Sequence, residues 1–199
     1  MSRSFRTEPK RRIAARNVPR DADGRARLPR IVARQPRQGD VHPLPKRLLT
    51  RLLAGLPLEL WHGLTRIELR AREGEVGRPF ASYHPRDRSI RLHSLPMEFH
   101  LPPVSRGTVK LLEGFGAEVE ATTDGHRVSW DDPLRLGFWF YYEVLLHELG
   151  HHHRNQYRGK TRPMGRRLTE EILADRYCYW AFAGRLSRRK YPPGKATVS

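Results

Sequence analysis

His147-Glu148-Leu149-Gly150-His151 directly follows an apolar run, residues 138–146, that can carry it on a helix. On a helix the i,i+4 spacing sets both imidazoles on one face, one turn apart, where they can grip a single zinc ion. Glu148 follows the first ligand and points beside the metal, where it can take a proton from a water bound there. Zinc brings that water's pKa down to roughly 7, so a nearby carboxylate suffices as base. The plain alternative is a helix with two solvent-facing histidines and a glutamate. Val144, Leu145, Leu146 and Leu149 argue against it, because they bury at least half of the helix. Charged groups brought into such a setting need partners, and a metal is one.

Tetrahedral catalytic zinc takes three protein ligands and leaves one position for water. No histidine follows His153, which disfavours a downstream histidine as the third ligand. The metzincin pattern HExxHxxGxxH is excluded, since Arg154 stands where its glycine belongs and Tyr157 where its last histidine belongs. The carboxylates after the motif are Glu170, Glu171 and Asp175, all at the start of a second helical pattern. Glu171 and Asp175 are i,i+4 and share a face. One can ligate the metal while the other holds a ligand histidine by its free ring N–H.

HELGH followed by Glu171-Ile172-Leu173-Ala174-Asp175 resembles the gluzincin pattern HExxH…ExxAD. It is similar to the ImmA/IrrE-type peptidases, to the HtpX and CAAX-processing membrane peptidases and to the soluble minigluzincins. Thermolysin shares the Glu-xxx-Asp spacing. The match covers residues 138–185, about a quarter of the chain. The chain lacks the membrane spans of the HtpX group and a recognisable helix-turn-helix of the phage-repressor group. The resemblance implies His147, His151 and Glu171 as zinc ligands, Glu148 as general base and Asp175 behind a ligand histidine. Glu170 is the alternative metal ligand, one residue earlier. Its i+4 partner is Ala174, so it has no acidic companion, and the Asp175 argument favours Glu171. Thr169 as an N-cap with both glutamates in the first turn is the purely structural alternative.

Nearby residues are less decisive. His152 and His153 read as solvated or packed side chains, with polarisation of a substrate carbonyl as the other use. Tyr157, Arg176 and Tyr177 are further candidates for the oxyanion side. Cys178 shares the face of Glu171 and Asp175 and reads as a buried small residue. A peptide deformylase would need a ligand cysteine upstream of the motif, and none precedes it.

The chain has 199 residues, enough for one domain with a real core and a tail. One cysteine forbids an internal disulfide and fits a reducing compartment. The best apolar stretch, residues 52–64, is broken by Pro57, Glu59 and His62 and is too short to span a bilayer. No apolar region follows the basic N-terminus as a secretory signal would require, so a soluble, cytoplasmic protein is expected. Net charge is +17, of which residues 1–40 carry +8 with abundant proline. That composition predicts a basic, disordered N-terminal arm over 1–40, a polyanion-contacting segment for which nucleic acid is the possible partner. Arginine outnumbers lysine throughout, as a GC-rich genome alone would produce, so the charge also has a compositional explanation.

Residues 44–53 repeat apolar positions at helical spacing and predict a first helix. Residues 64–71 alternate as a strand. Residues 80–83 and 89–93 predict a hairpin with Pro85 in its loop, and residues 117–122 and 126–130 a second around Thr-Asp-Gly. Residues 109–113 predict a short helix. Asp132-Pro133 reads as N-cap and first residue of the helix that carries the motif, with Gly137 as an interruption. A Glu-bearing helix is expected over 169–186. The strand at 126–130 is expected to border the cleft and to offer an edge to an extended peptide. The Phe138–Tyr142 cluster reads as core. The expected fold is α+β and zincin-like, a small twisted β-sheet packed on the HExxH helix and the Glu helix. The metallopeptidase domain would span 41–190, with a disordered tail at 191–199. The function expected is hydrolysis of peptide or protein substrates by metal-activated water. The alternatives are a nucleic-acid-associated regulatory module and a structural zinc module without turnover.

Overall fold

Ile67 and Leu69 alternate with Arg66, Glu68 and Arg70, and Ile90 and Leu92 alternate with Ser89, Arg91 and His93. Period-two alternation puts every apolar member on one face of a sheet. Those four aliphatic side chains are at most 2% exposed. The computed structural model describes residues 27–73 and 79–157. The strands in chain order are β1 (Arg30–Ala33), β2 (Asp40–Val41), β3 (Arg66–Arg70), β4 (Ala81–His84), β5 (Ser89–His93), β6 (Leu95–Pro96), β7 (Glu98–Leu101), β8 (Glu118–Thr122) and β9 (Gly125–Ser129). The helices are α1 (Lys46–Gly55), α2 (Leu58–Trp61), α3 (Arg106–Gly114), α4 (Pro133–Trp139) and α5 (Leu146–Tyr157). A π-helical segment, Phe140–Leu145, joins α4 to α5. The architecture is mixed α+β.

The main sheet has the order β1-β3-β5-β4. β1, β3 and β5 run parallel, and among the described residues β4 is the antiparallel strand at one edge. Its inner face packs under α1, whose Leu49 and Leu53 are fully buried, and β4 packs against α5. On the outer face Glu68 collects Arg66, Arg70 and Arg91 at 2.8, 3.4 and 3.8 Å. A second sheet, β7-β9-β8, is antiparallel throughout, and β2 pairs with β6 as a two-stranded ribbon. Phe80, Phe99, Trp130 and Trp139 join the two larger sheets to α4, with Phe80–Trp139 and Trp130–Trp139 centroids both 5.3 Å apart. Such offset and edge-on aromatic pairs add to what area burial alone provides.

Both expected hairpins form. The first closes through a four-residue loop holding Pro85, and the second through Thr123-Asp124. α1 and α3 stand at the expected places; Ser105 caps α3 by accepting from the Thr108 N–H at 3.1 Å. Asp132 and Pro133 begin α4 as expected, with Asp132 accepting from the Leu134 N–H at 2.8 Å. Gly137 does not interrupt the helix. A Cβ there would lie 2.7 Å from the Pro43 carbonyl oxygen, so the glycine permits a close approach of backbone to helix. The 138–142 cluster is core at Trp139, Phe140 and Tyr141, whereas Phe138 is 58% exposed. The predicted helix over 169–186 and the tail at 191–199 lie outside the described residues.

Two expectations are corrected. The basic arm does not extend through residue 40. Residues 30–33 form β1, paired in parallel with β3, and Ile31 packs against the core. Only residues 1–26 of the expected arm lie outside the described residues at this end. Asp40, counted with the arm, is buried in β2. Its carboxylate accepts from Ser94 Oγ at 2.8 Å and from Arg72 Nε and Nη2, each at 3.3 Å. A buried carboxylate so placed stitches the ribbon to the end of β3, and charge alone could not reveal it. The second correction is that β9 is not an edge. It pairs with β7 on one side and β8 on the other, so residues 126–130 offer no open edge.

These contacts set an expectation for truncation. Removing residues 1–40 takes away β1 and Asp40 and is expected to abolish the cooperative thermal transition, whereas removing residues 1–26 leaves every described contact in place and should preserve it. Asp40→Ala should cost close to 3 kcal/mol in urea unfolding, the lower end of about 3–5 kcal/mol for a broken buried pair. The lower end applies because the Arg72 side chain is 16% exposed and can be partly hydrated. An unchanged urea midpoint would remove Asp40 from the account of the fold.

Candidate metal centre

α4, the π segment and α5 form one uninterrupted helical rod, and its winding decides where the motif points. Leu146 N–H donates to the Tyr141 carbonyl, five residues back. A π turn adds a residue to the turn and rotates everything downstream about the axis. From its last residue onward, Leu145, Leu149 and His152 form an i, i+4, i+7 stripe that is fully buried. Glu148, beside that stripe, is 8% exposed. His147 and His151 lie on the flank, partly buried.

The two flanking imidazoles converge. His151 Nε2 stands 2.9 Å from His147 Nε2, with ring centroids 4.6 Å apart and planes at 85°. Two imidazole nitrogens bound to one tetrahedral zinc at 2.0–2.1 Å sit roughly 3.3 Å apart. The pair is therefore close to the bite of a shared metal ion, and the donor chemistry fits one. Among the described residues no three His, Cys, Asp or Glu side chains assemble into a metal-holding group. Glu171, the alternative Glu170, and Asp175 lie outside the described residues, as do Arg176, Tyr177 and Cys178.

His152 is not available to polarise a substrate carbonyl. It is fully buried, with Nε2 2.9 Å from the His62 carbonyl and Nδ1 3.3 Å from the Tyr83 hydroxyl. A carbonyl can only accept, so Nε2 carries the proton and Nδ1 accepts from the Tyr83 O–H. Asn155 Nδ2 donates to the same hydroxyl oxygen at 3.1 Å. Burial pushes the His152 imidazole below its ordinary pKa, and the His62 carbonyl opposes that shift. Burial likewise raises the Tyr83 phenol, against the hydrogen bond from Asn155. Both effects keep the pair neutral. The Tyr83 ring meets the His152 ring edge-on at 5.4 Å. Nearby, Gly63 turns with φ +79° where a Cβ would lie 2.6 Å from Gln156 Nε2, so α5 runs close against the end of α2.

The Tyr83–His152 pair was not anticipated as part of the site. Counting three residues on from Leu149 marks His152 as core-facing, and that signal is local. Tyr83 lies in a different strand and carries no local signal. A cavity of about 190 Å³, lined among others by Arg70, Arg91, His84 and His93, opens on the outer face of the main sheet. Tyr83, which reaches α5, points to the opposite face from its neighbours Ser82 and His84. That cavity is therefore separate from the histidine pair.

No protein family, curated protein or solved structure matches the chain. The reading of the centre therefore rests on its own geometry.

Whether a carboxylate joins the two histidines as a third ligand is open to direct measurement. Zinc affinity is expected to fall most for Glu171→Ala, which would leave two histidines. Asp175→Ala should lose about 10–100-fold, the usual effect of removing the partner that orients a ligand histidine. Glu170→Ala should change affinity little. Loss of metal in Glu170→Ala with retention in Glu171→Ala would reverse the register, and retention in both would move the third ligand upstream of the motif.

Proposed function

We propose that the protein is a zinc-dependent peptidase of gluzincin type with a zincin-like fold. The observation that carries this reading is the convergence of His147 and His151 Nε2 to 2.9 Å, with Glu148 buried between them in sequence. His147 and His151 would hold the zinc, with Glu171 as the third ligand. Bound there, zinc would supply Lewis acidity and lower the pKa of a coordinated water to about 7.

The chain's own groups supply the rest. Glu148 takes the proton from the attacking water and passes it to the leaving amine, as a general base and then a general acid. Its burial limits competing solvent. β4 is the antiparallel edge of the main sheet and packs against α5. An extended peptide added along that edge would run past the motif, which is the service expected of residues 126–130 and transferred here to residues 81–84. On the described surface Arg66, Arg70, Arg91, Arg127 and Arg135 each face a carboxylate, and the nucleic-acid alternative rests on the net charge of +17.

Purified protein is expected to contain near-stoichiometric zinc and to cleave members of a mixed peptide pool. Glu148→Gln keeps size and hydrogen bonding but cannot accept a proton. It should retain zinc and lose hydrolysis by roughly 10²-fold or more. Zinc retention with undiminished turnover would remove Glu148 from the mechanism, and wild-type protein without zinc would remove the reading altogether.

A further inference from the structure

We propose that Tyr83 is a positioning residue that sets the distance between a peptide held along β4 and the metal-bearing helix; this rests on the peptidase reading above. The argument starts from the two ways in which α5 is anchored. His152 donates from Nε2 to the His62 carbonyl at 2.9 Å, and this bond fixes the rotation of α5 about its axis. His151 is the next residue in the chain, so that rotation also aims the metal-binding pair. Tyr83 makes the second anchor. Its hydroxyl donates toward His152 Nδ1 at 3.3 Å and accepts from Asn155 Nδ2 at 3.1 Å.

These anchors differ in what they join. The His62 bond ties α5 to the end of α2. The Tyr83 bonds tie α5 to the middle of the edge strand. Tyr83 N–H and C=O belong to the same residue that carries the hydroxyl. Phe80 O accepts from His93 N at 3.0 Å, so that pair is hydrogen-bonded across the ladder. In an antiparallel pair hydrogen-bonded residues alternate with non-bonded ones. Ser82 and His84 therefore turn their backbone groups toward β5, while Ala81 and Tyr83 turn theirs to the outer edge. One residue thus presents its backbone to an added strand and its hydroxyl to the helix beside the motif. The substrate class that follows is an extended peptide long enough to pair along β4.

Reaction rates are sensitive to such spacing, since a displacement of about 1 Å can cost 10²-fold. Tyr83→Phe removes the hydroxyl and keeps the ring. It should lower the melting temperature, because buried His152 Nδ1 loses its donor. Below that temperature zinc stoichiometry and affinity should stay at the wild-type level.

The decisive readout compares two substrates sharing one scissile bond. The first is an internally quenched peptide, chosen from those the wild type cleaves, that runs the length of β4. The second is its truncation to the residues flanking the bond. Tyr83→Phe should lower kcat/KM for the long peptide by about 10-fold or more and leave the truncated one unchanged. Asn155→Ala should lower it in the same selective way, and the double variant should be no worse than Tyr83→Phe, because both act through one hydroxyl. A purely structural role would lower both substrates together, and equal losses would overturn the proposal. Loss of zinc in Tyr83→Phe would overturn it as well, by showing that the hydroxyl serves the metal site rather than the spacing. A wild type that cleaves no peptide overturns the peptidase reading and this proposal with it, whereas an active wild type with equal losses overturns this proposal alone.

Discussion

The bond from buried His152 to the His62 carbonyl is the interaction on which the arrangement of the centre depends. A helix that carries a metal motif must satisfy demands that conflict. One face has to join the core, another has to present ligands, and the angle between them is fixed by the helix itself. Leu145, Leu149 and His152 take the core face. A polar ring in the third position would be costly without partners, and the His62 carbonyl and Tyr83 hydroxyl supply them. Apolar contact at this place would permit small rotations, whereas a directional hydrogen bond does not. The face that carries His147 and His151 inherits its orientation from that constraint.

The π segment serves the same end from upstream. α4 is committed to the aromatic cluster through Trp139, which meets Phe80 and Trp130. α5 is committed to α2 and β4. With regular α winding the two commitments would be linked by a fixed rotation. The wider turn through Phe140–Leu145 alters that rotation, so each half of the rod can bury its own stripe. Irregular winding of this kind often occurs next to functional residues.

Charge plays a different part from the one that net charge suggests. The chain is strongly basic, yet on the outer face of the main sheet three arginines surround Glu68, and on the second sheet Arg127 faces Glu120. Within the core, Arg72 and Asp40 join distant segments through a charge-assisted pair supported by Ser94. In these places arginine acts through its fixed donor fork. Excess charge counts for less there than geometry does.

Several features were legible in the sequence because their causes are local. Alternation over residues 66–70 and 89–93, the Asp132-Pro133 start of α4, and the i,i+4 histidines each depend on residues within a turn or a strand of one another. The mixed α+β class and the pairing of both hairpins follow from such signals. β1 was hidden, since four residues in a basic stretch become a strand only when β3 supplies the pairing. The edge beside α5 fell to β4 rather than to residues 126–130, because strand order is decided by which sheet faces pack together. Asp40 looked like one charge of a basic arm until Arg72 and Ser94, far along the chain, were brought to it. The sequence by itself determined that His147 and His151 share a helix face and that Glu148 lies beside them. Where that face points, and which strand lies along it, only the tertiary structure decided, because those depend on hydrogen bonds from His152 to residues 69 and 90 positions away.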